Sequence, residues 1–155
     1  MAGKFEGRLK ELGISLPDTV PPAANYVPAR KVGSQIYISG QVPAQGGQDK
    51  FTGKLGSDYS IEEGQAAARL CAVNILAQLK QALDGDLDRV VGVIRLGGFV
   101  NAEPDFKDHP KVINGASDLM VEVFGEAGRH ARAAVGVYSL PRNVPVEVDA
   151  IFEVN

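Results

Sequence analysis

The sequence predicts an α+β fold in which a mixed β-sheet carries two helices on one face. Three observations lead there. Two stretches, from Ser60 to Asp84 and from Asp108 to Gly125, repeat apolar residues at helical spacing. Segments around Ile36, Val90–Val100, Ala131–Val137 and Val146–Glu153 are rich in β-branched residues or alternate in polarity. Their order along the chain is β-β-α-β-α-β-β, which favours a mixed sheet with both helices on one side.

Taken in order, residues 1–20 combine Phe5, Leu9 and Leu12 at near-helical spacing with Pro17 and, just beyond, Pro21 and Pro22. They predict a short helix and an irregular arm appended to a domain spanning 21–155. Tyr26–Val32 and Gln35–Ser39 flank Gly33-Ser34, the signature of a β-hairpin with a two-residue turn. Gly46-Gly47 and Gly53 mark an exposed loop. Ser60 and Glu63 have the spacing of a capping box, and the helix they start should end at Gly85. Its stripe is Ala72, Ile75, Leu76, Leu79 and Leu83, with Glu62, Gln65, Arg69, Gln78 and Lys80 largely off it.

Val90–Val100 reads as a strand whose Gly97-Gly98 pair suggests a bulge or a close backbone approach. Asp108 can cap the second helix, with Pro110 in its first turn and Val112, Ala116, Leu119, Met120 and Val123 as its stripe. Gly125 and Gly128 end it. Ala131–Val137 is a strand, and Val146–Glu153 another, with Val146, Val148, Ala150 and Phe152 on one face. Nothing in this order covers the second face of the sheet. Self-association is the simplest cover, which is an argument for an oligomer from the element order alone.

Composition narrows the function. The chain has 155 residues, 45% hydrophobic and 23% charged, the profile of one globular domain. No run approaches the roughly 18 apolar residues that span a bilayer. The start carries Lys4, Glu6, Arg8, Lys10 and Glu11 without the apolar run of a secretory signal, so a cytosolic protein is expected. One cysteine and two histidines offer little for a transition-metal site, and no metal is expected. A net charge of −3 gives no general reason to seek phosphate backbones, and nucleic-acid binding is disfavoured.

The residues able to carry chemistry gather near the C-terminus. If the last two strands pair as a hairpin, Val137 opposes Val146 and Gly136 opposes Glu147. Arg132, Ala134, Gly136, Glu147 and Asp149 then share a face, with Arg132 and Glu147 roughly 13 Å apart at about 3.3 Å per residue. Arg132 can hold a carboxylate with two parallel hydrogen bonds and stays charged at physiological pH. Glu147 could activate a water. An arginine and two acids on strands are usually an ordinary solvated face or an interface ion pair. Cys71, mid-helix beside the apolar stripe, reads as a buried thiol, His109 as a surface residue, and His130 as a peripheral neighbour of Arg132. Tyr26 is either a packed aromatic or a ligand contact. No phosphate-binding loop or nucleophilic triad is present.

From about Pro21 to the C-terminus the chain resembles the RidA/YjgF family. The matching stretches are Asn25-Tyr26-Val27, Ile38-Ser39-Gly40-Gln41-Val42-Pro43, Gly53-Lys54-Leu55, Asp105-Phe106, Asn114, Ala131-Arg132-Ala133-Ala134-Val135, Leu140-Pro141 and Val146-Glu147-Val148. The resemblance implies a chorismate-mutase-like fold whose sheets join as a trimeric barrel, with clefts between neighbouring subunits. It implies that Arg132 grips the carboxylate of a 2-amino or 2-imino acid, that Glu147 places the hydrolytic water, and that Tyr26, Ser39, Gly40, Asn114 and Ala134 line or shape the cleft. The implied reaction releases a 2-oxo acid and ammonia and needs no cofactor. The family often carries a cysteine where this chain has Ala134, so a function requiring that thiol is lost. The N-terminal arm and a differently divided 114–132 segment suggest a divergent subgroup. A non-catalytic carboxylate-binding protein, a translation inhibitor or endoribonuclease, and a chaperone-like or structural role are the alternatives.

Overall fold

The computed structural model describes residues 2–155. Five strands form one mixed sheet: β1 (Ala29–Val32), β2 (Gln35–Gln41), β5 (Val90–Asn101), β6 (Ala131–Val137) and β7 (Val146–Val154), in the order β1-β2-β7-β5-β6. Only β5 and β6 are parallel; every other neighbouring pair is antiparallel. Two further strands, β3 (Ala44–Gln45) and β4 (Gln48–Asp49), make a separate small hairpin. The expected loop at Gly46-Gly47 is the tip of that hairpin, both glycines taking positive φ.

Three helices accompany the sheet: α1 (Lys4–Glu11), α2 (Ile61–Ala82) and α3 (His109–Phe124). The capping box at Ser60 is present in both directions, Ser60 Oγ accepting from the Glu63 N–H and Glu63 accepting from the Ser60 N–H. All five stripe residues predicted for α2 and all five for α3 are buried. With Val146, Val148, Ala150 and Phe152 they form one core between the helices and a single sheet face. Asp108 stands at the α3 N-cap, but its side chain makes no capping bond and pairs with Lys111 at 3.2 Å instead. Gly98 is a site of close approach, since a Cβ there would stand 2.5 Å from Ile113 of α3.

Two expectations need correction. The N-terminal helix is not an appendage: Phe5 and Leu9 are buried in the core, and Phe5 meets Phe124 of α3 edge-on at 4.8 Å. Asp88 anchors the start of α1 by accepting from the Lys4 and Phe5 N–H groups. The last two strands do not form a hairpin either. β5 lies between them, pairing in parallel with β6 on one side and antiparallel with β7 on the other. The reason lies in the side chains and the linker. β7 has an apolar face suited to a central position. β6, made of Ala, Gly and Val apart from Arg132, fits an edge. Residues 138–145 are long enough to step over one strand, a move of roughly 10 Å.

The other face of the sheet is uncovered among the described residues. It carries Tyr37 and Val135, both more than two-fifths exposed, together with Phe99, Ile151 and the Arg95–Asp149 ion pair at 3.5 Å. Among the described residues, no helix is long and apolar enough to cross a membrane.

Candidate functional site

The register divides the candidate residues into two groups. Arg132, Ala134 and Gly136 align laterally with Leu96, Gly98 and Val100 of β5, and these with Ala150, Val148 and Val146 of β7. Residues aligned across a sheet share a face, and this is the face toward the helices. Glu147 aligns with Phe99 and Val135, on the uncovered face. Arg132 and Glu147 therefore do not share a face, contrary to the expectation from a hairpin. They sit two strands across and three residues along from each other, roughly 14 Å between backbones.

The first group lies at the β6 edge under α3. Arg132 Nη1 donates to Asn114 Oδ1 at 2.8 Å and to Ser117 Oγ at 3.1 Å. Ser117 Oγ is 2.9 Å from His130 Nε2, whose Nδ1 is 2.7 Å from the Gly128 carbonyl oxygen. His109 is half-buried rather than a surface residue. It lies over Gly136, where a Cβ would collide with its Nε2, and it meets Phe106 edge-on at 5.5 Å. Ala134 adds almost no bulk beside Arg132, whereas the space over Gly136 is taken by the His109 ring.

The second group surrounds a cleft of about 420 Å³ where β2 ends. Tyr26, Gly40, Arg142 and Glu147 line it, facing residues 17–23 of the N-terminal segment and the Asn74 and Gln78 side chains of α2. Ser39 stands behind it and donates to the Val27 carbonyl at 2.8 Å, pinning the Tyr26 segment, which precedes β1 rather than forming part of it. Glu147 rests against Gly40 so closely that a Cβ there would stand 2.9 Å from its carboxyl carbon. Burial pushes the Glu147 carboxyl above the usual carboxylate range; the nearby Asp149 adds to the shift and Arg142 opposes it. Arg142 holds Asp49 with two bonds of 2.7 and 2.9 Å, which keeps the Asp49 carboxyl below its ordinary value.

Cys71 is buried on the sheet-facing side of α2, its thiol 3.7 Å from the Val146 carbonyl oxygen and its pKa pushed up by burial. Among the described residues, no group of three or more His, Cys, Asp or Glu gathers to hold a metal ion. The sequence had not singled out Ser117, Asn74 or Arg142. Ser117 was within reach of helical spacing, being three residues after Asn114 and so on the same face of α3. Arg142 and Asn74 join the cleft only through the tertiary fold.

Comparison with known proteins gives one consistent result. Residues 6–152 match the family described as "YjgF/chorismate_mutase-like, putative endoribonuclease". The chain is 49% identical to Protein TCP17 of Trypanosoma cruzi over 99% of this chain and 96% of that one. It is 28% identical to the 2-iminobutanoate/2-iminopropanoate deaminase of Dermatophagoides farinae over 89% and 92%. A crystal structure of a protein of unknown function from Agrobacterium tumefaciens superposes with a TM-score of 0.91 at 54% identity, covering 97% of this chain and 92% of that one. Sheet order, helix placement and the match over nearly the whole length agree: the chain belongs to the RidA/YjgF family, with its chorismate-mutase-like fold.

Proposed function

We propose that this protein hydrolyses reactive 2-amino or 2-imino acids, as their enamine and imine tautomers, to 2-oxo acids and ammonia. The reaction takes place in the cytosol, in clefts between the subunits of a homotrimer. The observation that carries this reading is the separation of Arg132 from Glu147. Arg132 stands on an exposed edge strand with part of its guanidinium unengaged, and Glu147 lines the cleft at the end of β2, two strands away. A neighbouring copy can bring the Arg132 edge of one chain to the Glu147 cleft of another, and the uncovered sheet face supplies a surface for that association.

The chemistry follows from the two halves. Arg132 takes the substrate carboxylate, with Asn114 behind it. The enamine protonates at carbon to give the imine. Water adds to the imine carbon while Glu147, whose raised affinity for protons suits it to the task, takes the proton from that water. Glu147 returns that proton to the nitrogen, and the carbinolamine loses ammonia as its hydroxyl proton passes to the departing nitrogen and the carbonyl forms. Holding carboxylate and water in one cleft supplies orientation, and Gly40 lets Glu147 lie against the backbone. The deaminase named among the relatives supports the same reaction class.

The test is pyruvate and ammonia release from freshly generated 2-aminoacrylate. The wild-type protein should accelerate release above the spontaneous rate, and Arg132→Ala should lose about a hundredfold in kcat/KM, the scale of a charge-assisted bidentate contact. Equal rates for the two proteins would overturn the reading. Tight binding of a 2-oxo acid with no turnover of any imine would show a carboxylate-binding protein instead.

A further inference from the structure

Arg132 is held by one corner. Its Nη1 carries two N–H bonds, and both are engaged, one by Asn114 Oδ1 and one by Ser117 Oγ. Nε and Nη2 make no hydrogen bond among the described residues. Together they form the one fork of the guanidinium still able to take a carboxylate with two parallel bonds.

The hydrogen bonds behind Ser117 have a fixed sense. A carbonyl oxygen only accepts, so the 2.7 Å contact of His130 Nδ1 with the Gly128 carbonyl places the proton on Nδ1. In the neutral imidazole Nε2 is then an acceptor, and the Ser117 hydroxyl, 2.9 Å away, donates to it. That leaves the lone pairs of Ser117 Oγ for Arg132. The chain runs from Arg132 to Ser117, to His130, to the Gly128 carbonyl, each group donating to the next. Its far end is fixed, because Gly128 is buried and packs so tightly on the Met120 carbonyl that any Cβ would collide with it. Asn114 and Ser117, three residues apart on α3, and His130 and Arg132, two apart at the start of β6, thus form one frame around Nη1.

We propose that Ser117 and His130 are positioning residues for Arg132: they hold Nη1 so that the Nε and Nη2 edge faces outward as a side-on carboxylate clamp. This rests on the deaminase reading above. The pair touches no substrate; it acts by removing the rotation of the guanidinium that a carboxylate would otherwise have to arrest.

The test is a set of Ser117→Ala, Ser117→Thr, His130→Phe and Arg132→Ala proteins, with Ser117→Ala/Arg132→Ala as the double variant. Each is measured for pyruvate binding by calorimetry, for 2-aminoacrylate turnover and for Tm. Ser117→Ala should weaken pyruvate binding and raise KM by about tenfold, the scale of one hydrogen bond to a charged group. The loss should fall on KM rather than kcat, because the clamp holds the carboxylate alike in ground and transition states. Ser117→Thr, which keeps the hydroxyl, should recover most of the loss, and His130→Phe should reproduce part of it. In the Arg132→Ala background the serine change should add nothing further. Wild-type binding with unchanged binding in Ser117→Ala, or full additivity in the double variant, would overturn the positioning role alone. A loss explained by a matching fall in Tm and not recovered by threonine would overturn it too, in favour of a mere tie between α3 and β6. A wild-type protein that neither binds pyruvate nor accelerates hydrolysis would overturn the deaminase reading, and the clamp with it.

Discussion

Glu147 shows how one side chain is tuned by three neighbours at once. Burial against Gly40 disfavours its charged form, Asp149 two residues along the same strand face repels a second charge, and Arg142 pulls the other way. The net result is a carboxyl that gains its charge at a higher pH than an exposed glutamate, whose value is about 4.3. If the ionised form takes the proton from water, kcat/KM should rise with pH through that raised value. Glu147→Gln should remove the ascending limb along with most of the rate. Asp149→Asn should move the limb to lower pH by removing a like charge, and Arg142→Ala should move it to higher pH by removing an opposite one. A pH–rate profile on 2-aminoacrylate decides this. A limb that stays put in all three variants would assign the ionisation to another group.

At the scale of elements, the cleft is held open by contacts between segments distant in sequence. Arg142 and Asn143, in the turn before β7, both take positive φ, a conformation that side-chain-bearing residues seldom adopt. Two hydrogen bonds from Arg142 to Asp49 fasten that turn to the β3–β4 hairpin on the opposite cleft wall. The Asp49 carboxyl is held below its ordinary pKa of about 3.9. Its contribution is therefore complete above that value and is lost as pH falls through the lowered folded one. Because the pair is partly exposed, screening limits that contribution to about 1 kcal/mol or less. Arg142→Ala should lower stability by that much at pH 7 and should converge with wild type in strong acid. Urea melts at several pH values measure this, and parallel curves at every pH would refute it. Helix periods, the Ser60 cap and the Gly33-Ser34 turn were legible in the sequence because each is a local pattern. The place of β7 was not, since β6 and β7 are adjacent in sequence and only the crossover through α3 sets β5 between them. That one insertion decides which face each candidate residue occupies. For this reason Arg132 and Glu147 were recognisable as candidates while their relation to each other was not.

For the whole molecule, the separation of Arg132 and Glu147 on opposite faces makes a prediction about assembly that no single-chain site would share. If each cleft takes its arginine from one copy and its glutamate from the next, Arg132→Ala and Glu147→Gln proteins are inactive for different reasons and damage different halves. A mixed trimer then contains some clefts in which the copy lending arginine is a Glu147→Gln chain and the copy lending glutamate is an Arg132→Ala chain. Such a cleft is wild type in both working groups. With random mixing at equal concentration, about one cleft in four has this composition, so the mixture should recover about a quarter of the wild-type rate. The experiment is to unfold and refold the two variants together, confirm the trimer by its mass in solution, and measure 2-aminoacrylate turnover against each variant refolded alone. Recovery would also require the uncovered sheet face to be part of the contact, so Val135→Glu, which puts a charge on that face, should lower the mass to that of a monomer and abolish the recovery. A mixture no more active than its components, in a protein that is trimeric and active as wild type, would mean that both groups serve from the same chain. The 14 Å path across two strands would then have to be bridged by a conformational change within one subunit.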